Sequence, residues 1–396
     1  MPNKNLPIVD WRKIESSAPG KIIISGEYSV VYGKQAIASA IDLRTRVTIR
    51  PNKDGKVRLH LRSLNISREW PTASLTLCRL VSRYSECLYY DDNMPVKLNQ
   101  LLHTRYIQST PRNESDDANS KDRDKKANDA AMAFLLLYIG LGDSFSSSGR
   151  PPIDVEVGSD VPIGSGLGSS SAYSVALCGA LMRVFRVSAE KYIVSDWAFN
   201  IDKLFHGRPS GVDNNIITTG GYILFQNGKI KATGCYHKNP IRVMLVDTGV
   251  SRSTRALSEV VVNELRDDPS KVNSTFNNIN ELTTQIWRKI NDPNFIPKNI
   301  AIYLQANQEL LDTLGVGHEK LSDICLRAQS FELTAKQTGA GGGGTAFVLY
   351  DETDRQRASQ LGVELKEAGY HIHDHLMGCE GLVVRIEADT DRRFGV

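Results

Sequence analysis

The chain has 396 residues, 41% of them apolar and 23% charged, with a formal net charge of +3. That length accommodates two domains with separate cores, and the composition is ordinary for a globular protein. So small a charge argues against nucleic acid or a membrane surface as the principal partner. The six cysteines (Cys78, Cys87, Cys178, Cys235, Cys325 and Cys379) are scattered without a CxxC pair. Neither a zinc site nor a disulfide framework is expected, and reduced thiols suit a cytoplasmic protein. The N-terminal stretch MPNKNLPIVDWRK lacks the apolar core of a signal peptide. The longest apolar run, Ala130–Leu141, is roughly 12 residues against the ~20 that span a bilayer, so it predicts a buried helix rather than a membrane segment.

In chain order, β-branched and alternating apolar residues predict strands at Lys21–Ser25, Arg46–Arg50 and Lys56–Arg62. Residues Thr110–Asp129 are almost wholly polar and charged and read as a mobile surface loop. A strand over Ile153–Val157 leads into the glycine- and serine-rich stretch Asp160–Ala172, then into helices over Ala172–Phe185 and Ala189–Phe205. Asn227-Gly228 predicts a hairpin joining Tyr222–Phe225 to Ile230–Ala232. Beyond Ile241 a strand (Arg242–Val246) precedes helices at Thr254–Arg266, Asn277–Ile290, Ile302–Leu314 and His318–Ser330. The glycine cluster Gly339–Gly344 then opens a strand (Thr345–Tyr350), followed by a helix (Arg355–Ala368) and a final strand (Gly381–Glu387). Strands and helices mix without a regular βαβα repeat, which predicts an α+β protein. A boundary near residue 240 divides it into 1–240 and 241–396.

The loop at 160–172 opens onto a helix, where free backbone N–H groups and the positive dipole end form an anion cradle. A flexible linker has the same composition, but not this position between strand and helix. The economical guest is a nucleotide phosphate. A Walker A loop is excluded because neither glycine-rich loop carries a lysine, and no HRD or DFG triplet is present. Gly339, Gly341 and Gly344 satisfy GxGxxG, yet the strand follows that loop instead of preceding it, so the dinucleotide-binding reading fails.

Three separated segments remain: Ser17–Lys21 running on through Gly26-Glu27-Tyr28 to Gly33, Pro162–Ala172, and Lys336–Phe347. In this order they resemble the GHMP superfamily of small-molecule kinases, named for galactokinase, homoserine kinase, mevalonate kinase and phosphomevalonate kinase. Within it the resemblance is to mevalonate kinases, through His206–Asn214 (HGRPSGVDN), Ser253–Leu257 (STRAL), Leu314–His318 (LGVGH) and Leu43-Arg44-Thr45. It runs from about residue 17 to 349.

The resemblance implies a two-domain GHMP kinase fold, with an N-terminal domain like ribosomal protein S5 domain 2, a ferredoxin-like C-terminal domain and the active site in the cleft between them. It implies transfer of phosphate from ATP to (R)-mevalonate, giving 5-phosphomevalonate for isoprenoid and sterol precursors, with Mg2+ required. Pro162, Gly164, Ser165, Gly166, Leu167, Gly168 and Ser169 would line the nucleotide, and the Ser170 hydroxyl would meet Mg2+, a hard cation that favours oxygen. Asp213 matches the catalytic aspartate, accepting the alcohol proton; by spacing alone it closes a turn or caps a helix. Lys21 would lie beside Asp213 and the substrate hydroxyl, although most lysines are simply solvated. Asp202 stands eleven residues before Asp213, where the family usually has glutamate as the second Mg2+ carboxylate. With one methylene less reach, it is expected to act through water or an inward helix shift, or to be a plain surface aspartate.

Tyr28 replaces the family's usual histidine on the substrate side, a larger and neutral group. Thr254 is a second substrate-side candidate and also reads as a helix N-cap. Gly341 belongs to a turn that lets backbone approach phosphate or substrate. His371, His373 and His375 alternate, as on a polar strand; a metal site is the less economical reading. Family members are often homodimers, which implies the same assembly here. The alternatives are another small-alcohol kinase of the superfamily, a non-catalytic ligand sensor on the same fold, and a nucleic-acid-binding or scaffold role.

Overall fold

A computed structural model describes residues 11–75, 103–107, 118–146, 149–206, 209–234, 241–250 and 254–388. The first part of the chain contains β1 (Trp11–Ser25), β2 (Ala36–Pro51), β3 (Lys56–Leu61), β4 (Ile66–Pro71), α1 (Ala118–Phe145), β5 (Ile153–Ser159), α2 (Ser169–Val184), α3 (Lys191–His206), α4 (Val212–Thr219), β6 (Tyr222–Gln226) and β7 (Lys229–Thr233). The second contains β8 (Arg242–Asp247), α5 (Thr254–Asp267), α6 (Pro269–Ile290), α7 (Ala301–Thr313), α8 (Glu319–Ser330), β9 (Ala335–Gln337), β10 (Thr345–Tyr350), α9 (Arg355–Glu367), β11 (His371–Leu376) and β12 (Val383–Ala388).

The larger sheet runs β12-β1-β2-β5-β3-β4, with β6 and β7 continuing from the other end of β2. β1 and β2 are antiparallel and far longer than their apolar patterns predict, because neighbours on both sides complete their ladders: β12 and β2 flank β1, while β5 and β6 share β2. β3 pairs parallel with β5. The hairpin β6–β7 turns at Asn227-Gly228, both at positive φ, as that dipeptide requires.

Helix α2 is buried along almost its whole length between this sheet and its neighbouring helices, the position of a helix that is apolar all round. Helix α1 corrects one expectation. Residues 118–129 of the charged stretch are its opening turns rather than a mobile loop; residues 110–117 lie outside the described residues. Their polar composition mimics a loop. However, an Asp122–Lys126 ion pair one turn apart and continuity with buried Ala131–Leu141 make them helical. No helix among the described residues is long and apolar enough to cross a membrane.

The smaller sheet is antiparallel, ordered β11-β8-β10-β9. Met244, Val246, Ala346 and Val348 project from it onto Leu321 and Ile324 of α8 and Leu361 and Leu365 of α9. The expected boundary near residue 240 falls between β7 and β8, where the chain leaves one sheet for the other. β12 then returns to the larger sheet and pairs with β1. Helix α6 starts at Pro269, earlier than its apolar periodicity suggests. Asp268 caps it by accepting from the Lys271 N–H, and proline occupies the first turn.

Candidate active site

The connection from β5 to α2 is fastened by its backbone. Leu167 carbonyl accepts the Lys21 N–H at 2.9 Å, the Ser165 hydroxyl donates to Pro162 at 2.9 Å, and the Ser165 carbonyl accepts Thr345 Oγ1 at 3.0 Å. The loop thus touches both sheets, β1 of the larger and β10 of the smaller. Gly164, Gly166 and Gly168 all hold positive φ. At Gly168 (φ 79°) a Cβ would lie 2.9 Å from Lys21 Cγ and 3.0 Å from Ile217 Cδ1, so only glycine lets the lysine stem pass. Gly168 is also the N-cap of α2 and has no side chain with which to cap it, and the first turn of the helix itself contains no acidic residue. A helix start of this kind presents backbone N–H groups and a positive dipole end, the features that favour an anion. Leu167 is buried and Ser169 and Ser170 are half-buried at its mouth.

Against this loop stands one ion pair. Lys21 Nζ lies 3.1 Å from Asp213 Oδ1; the lysine is only 4% exposed, while the Asp213 side chain is 36% exposed. Asp213 sits in the first turn of α4, after Gly211 at φ 84°, where the helix dipole favours a carboxylate. The two residues paired by resemblance are in contact.

Asp202 is not a surface aspartate. It is 1% exposed and accepts from the Ser171 hydroxyl, from Asn214 Nδ2 at 2.9 Å and from Ser174 Oγ at 3.4 Å. Burial pushes its carboxyl up to about 7, with the Asp213 charge adding to the rise and the three donors opposing it. The carboxylate thus ties α3 to the first turn of α2 and to α4.

Tyr28, at φ 59°, donates its hydroxyl to the Ala340 carbonyl and so grips the glycine turn. Thr338 Oγ1 bridges Ile23, accepting from its N–H at 2.8 Å and donating to its carbonyl at 3.2 Å. Gly341 (φ 73°) is closely packed: a Cβ there would collide with the Val316 carbonyl of the LGVGH turn, to which Gly342 N–H bonds at 2.8 Å. The close approach at Gly341 is therefore to this chain's own backbone. Thr254 opens α5 and is exposed; the same helix packs Leu257 over Gly342. Ser253, Gly207 and Arg208 lie outside the described residues.

Motif reading did not single out Glu27 and Lys336. Their charges meet at 2.5 Å with side-chain exposures of 2% and 0%. The signal was present: a lone glutamate after Gly26 and a lone lysine beside Ala335, both within motif segments. The histidines do lie on a strand, β11. His371 and His373 are exposed, and His375 Nδ1 is 2.9 Å from Asp42; no metal-binding group of residues occurs among those described.

Residues 131–221, which contain the loop, Asp202 and Asp213, match the family described as GHMP kinases N terminal domain. The chain is 31% identical to the mevalonate kinase of Bos taurus, covering 95% of this chain and 96% of that protein. It is 29% identical to the mevalonate kinase of Arabidopsis thaliana, covering 93% and 98%. The fold matches the crystal structure of Methanococcus jannaschii mevalonate kinase with a TM-score of 0.69 at 21% identity, over 94% of this chain and 99% of that one. The L. major mevalonate kinase, solved with R-mevalonate, aligns with a TM-score of 0.62 at 20% identity over 96% and 99%. These likenesses extend over both sheets and the loop joining them, and on them the chain is an α+β protein with the GHMP kinase fold and belongs to the mevalonate kinase family.

Proposed function

We propose that this protein transfers the γ-phosphoryl group of ATP directly to the 5-hydroxyl of (R)-mevalonate, giving ADP and 5-phosphomevalonate. The Lys21–Asp213 pair, set against the start of α2 at Gly168, carries this reading. Residues 162–170 bind the triphosphate through backbone N–H groups and the helix dipole. Asp213 accepts the hydroxyl proton as the new O–P bond forms and the bond to ADP breaks. Lys21 stabilises the Asp213 carboxylate and the charge developing on the attacking oxygen. Phosphoryl transfer asks chiefly for such positioning and neutralisation.

The donor set suits Mg2+ unevenly. Ser170, half-buried at the helix mouth, fits as the protein oxygen beside the phosphates. Asp202 accepts three hydrogen bonds and is sealed from solvent, so it fits as a brace for Ser171, next to Ser170, and not as a direct ligand without rearrangement. Once bound, Mg2+ would neutralise the triphosphate.

Tyr28, Thr254 and Gly341 flank the substrate side in this reading. Tyr28 holds the glycine turn in place rather than offering a charge to the mevalonate carboxylate. A panel of mevalonate, galactose, homoserine and phosphomevalonate with Mg·ATP, followed by coupled ADP release, tests the assignment. Turnover with mevalonate is expected; turnover with another member of the panel alone makes the protein a different small-alcohol kinase. We place it in the cytosol as a homodimer, which fractionation and sedimentation velocity test.

A further inference from the structure

The segment Lys21–Glu27 carries two lysine–carboxylate contacts, and the mechanism uses only the first. At its far end Glu27 Oε1 meets Lys336 Nζ at 2.5 Å; the same ammonium donates to the Gln337 carbonyl at 3.0 Å. Both side chains are sealed, and Glu27 Oε2 has no hydrogen-bond partner among the described residues. Asp213, Lys21, Glu27 and Lys336 thus form a row of two ion pairs joined by the chain from Lys21 to Glu27, the first at the site and the second on the smaller sheet. Two further ties accompany the row: Thr338 on Ile23, and Tyr28 on Ala340.

Stability does not explain this arrangement. A sealed ion pair pays for desolvation on both partners, and well-packed apolar replacements are commonly neutral or stabilising. We propose that Lys336 is a positioning residue for phosphoryl transfer: by holding Glu27 it sets the orientation of Lys21, and so the geometry that Lys21 and Asp213 present to the substrate. This rests on the reading above, in which those two residues act on the mevalonate hydroxyl.

Two double variants of the full chain test it, Glu27→Leu with Lys336→Met and the charge swap Glu27→Lys with Lys336→Glu. The first removes both charges. The second keeps an ion pair but reverses its charges at the end of the segment that carries Lys21. For each, kcat, KM for ATP, KM for mevalonate and melting temperature are measured beside the parent protein. The expected result is a kcat lower by about 10- to 100-fold, the scale of a small misplacement at a reacting centre, with both KM values and the melting temperature held. A merely structural pair would keep kcat, whatever the melting temperature does. If the apolar variant does not fold, the swap decides. Parental kcat in either folded variant overturns the proposal, as does a kcat loss seen only with a matching loss of melting temperature. Absence of mevalonate turnover in the parent protein would instead defeat the reading of the site.

Discussion

The two ion pairs on the segment from Lys21 to Glu27 have the same chemistry and different surroundings. Lys21–Asp213 buries the ammonium and leaves the carboxylate 36% exposed, so the acid remains reachable by a substrate. Glu27–Lys336 seals both partners. An exposed partner can act on a ligand; a sealed pair can only hold its surroundings. The energetics differ too. Removing one member of a sealed pair strands a charge in low dielectric, whereas a half-exposed carboxylate that loses its partner is rescued by water.

The largest effect that would sharpen this contrast is on turnover. Asp213→Asn should lower kcat by about 10²- to 10⁴-fold, the usual worth of a positioned base, while calorimetric titration shows ATP still binding. Unchanged turnover would remove Asp213 from the chemistry. Stability should follow the opposite order. Lys336→Met is expected to cost about 3–5 kcal/mol in urea unfolding, the cost of breaking a buried pair. Lys21→Met should cost distinctly less stability yet abolish most activity. Equal losses from the two would break the comparison.

The pH dependence has a definite sign. Burial first of all pushes the Glu27 carboxyl up and the Lys336 ammonium down. The first shift removes stability as pH rises above the unfolded value of about 4.3; the second removes it as pH falls below about 10.4. Glu27→Leu with Lys336→Met should therefore melt at or above the parent at pH 7 and show a flatter stability profile between those limits.

Smaller effects are expected nearer the loop. Gly168→Ala places a Cβ against the Lys21 stem at a positive φ. It should cost about 1 kcal/mol or more of stability, together with a fall in kcat. Least of all, Tyr28→Phe removes one bond to Ala340, about 0.5–1.5 kcal/mol; a modestly raised KM for mevalonate would place the glycine turn beside that substrate.

Local chemistry was legible where it is short-ranged. Glycines and serines between a strand and an apolar helix announce the tight turn from β5 into α2, and Asn227-Gly228 announces its hairpin. Asp268-Pro269 marks the start of α6 by capping, ahead of the point where its apolar periodicity begins. Lys21 and Asp213 emerged only through the motif resemblance, since each taken alone is an ordinary charged residue. Glu27 and Lys336 were missed because a solvated charge and a sealed one look alike until the elements pack. The charged half of α1 was misread for a related reason: composition describes solvent preference, while the helix is continued from its buried half.

By itself, then, the sequence determined the turns, caps and apolar faces, and with them the glycine-led start of α2. Those features depend on backbone dihedrals and neighbours a few residues away. Only the tertiary structure decided that Lys21 meets Asp213, that Asp202 is enclosed by Ser171, Ser174 and Asn214, and that β12 returns to the larger sheet. Burial and charge pairing arise from the whole packing, because the cost of desolvating a group depends on every element that surrounds it.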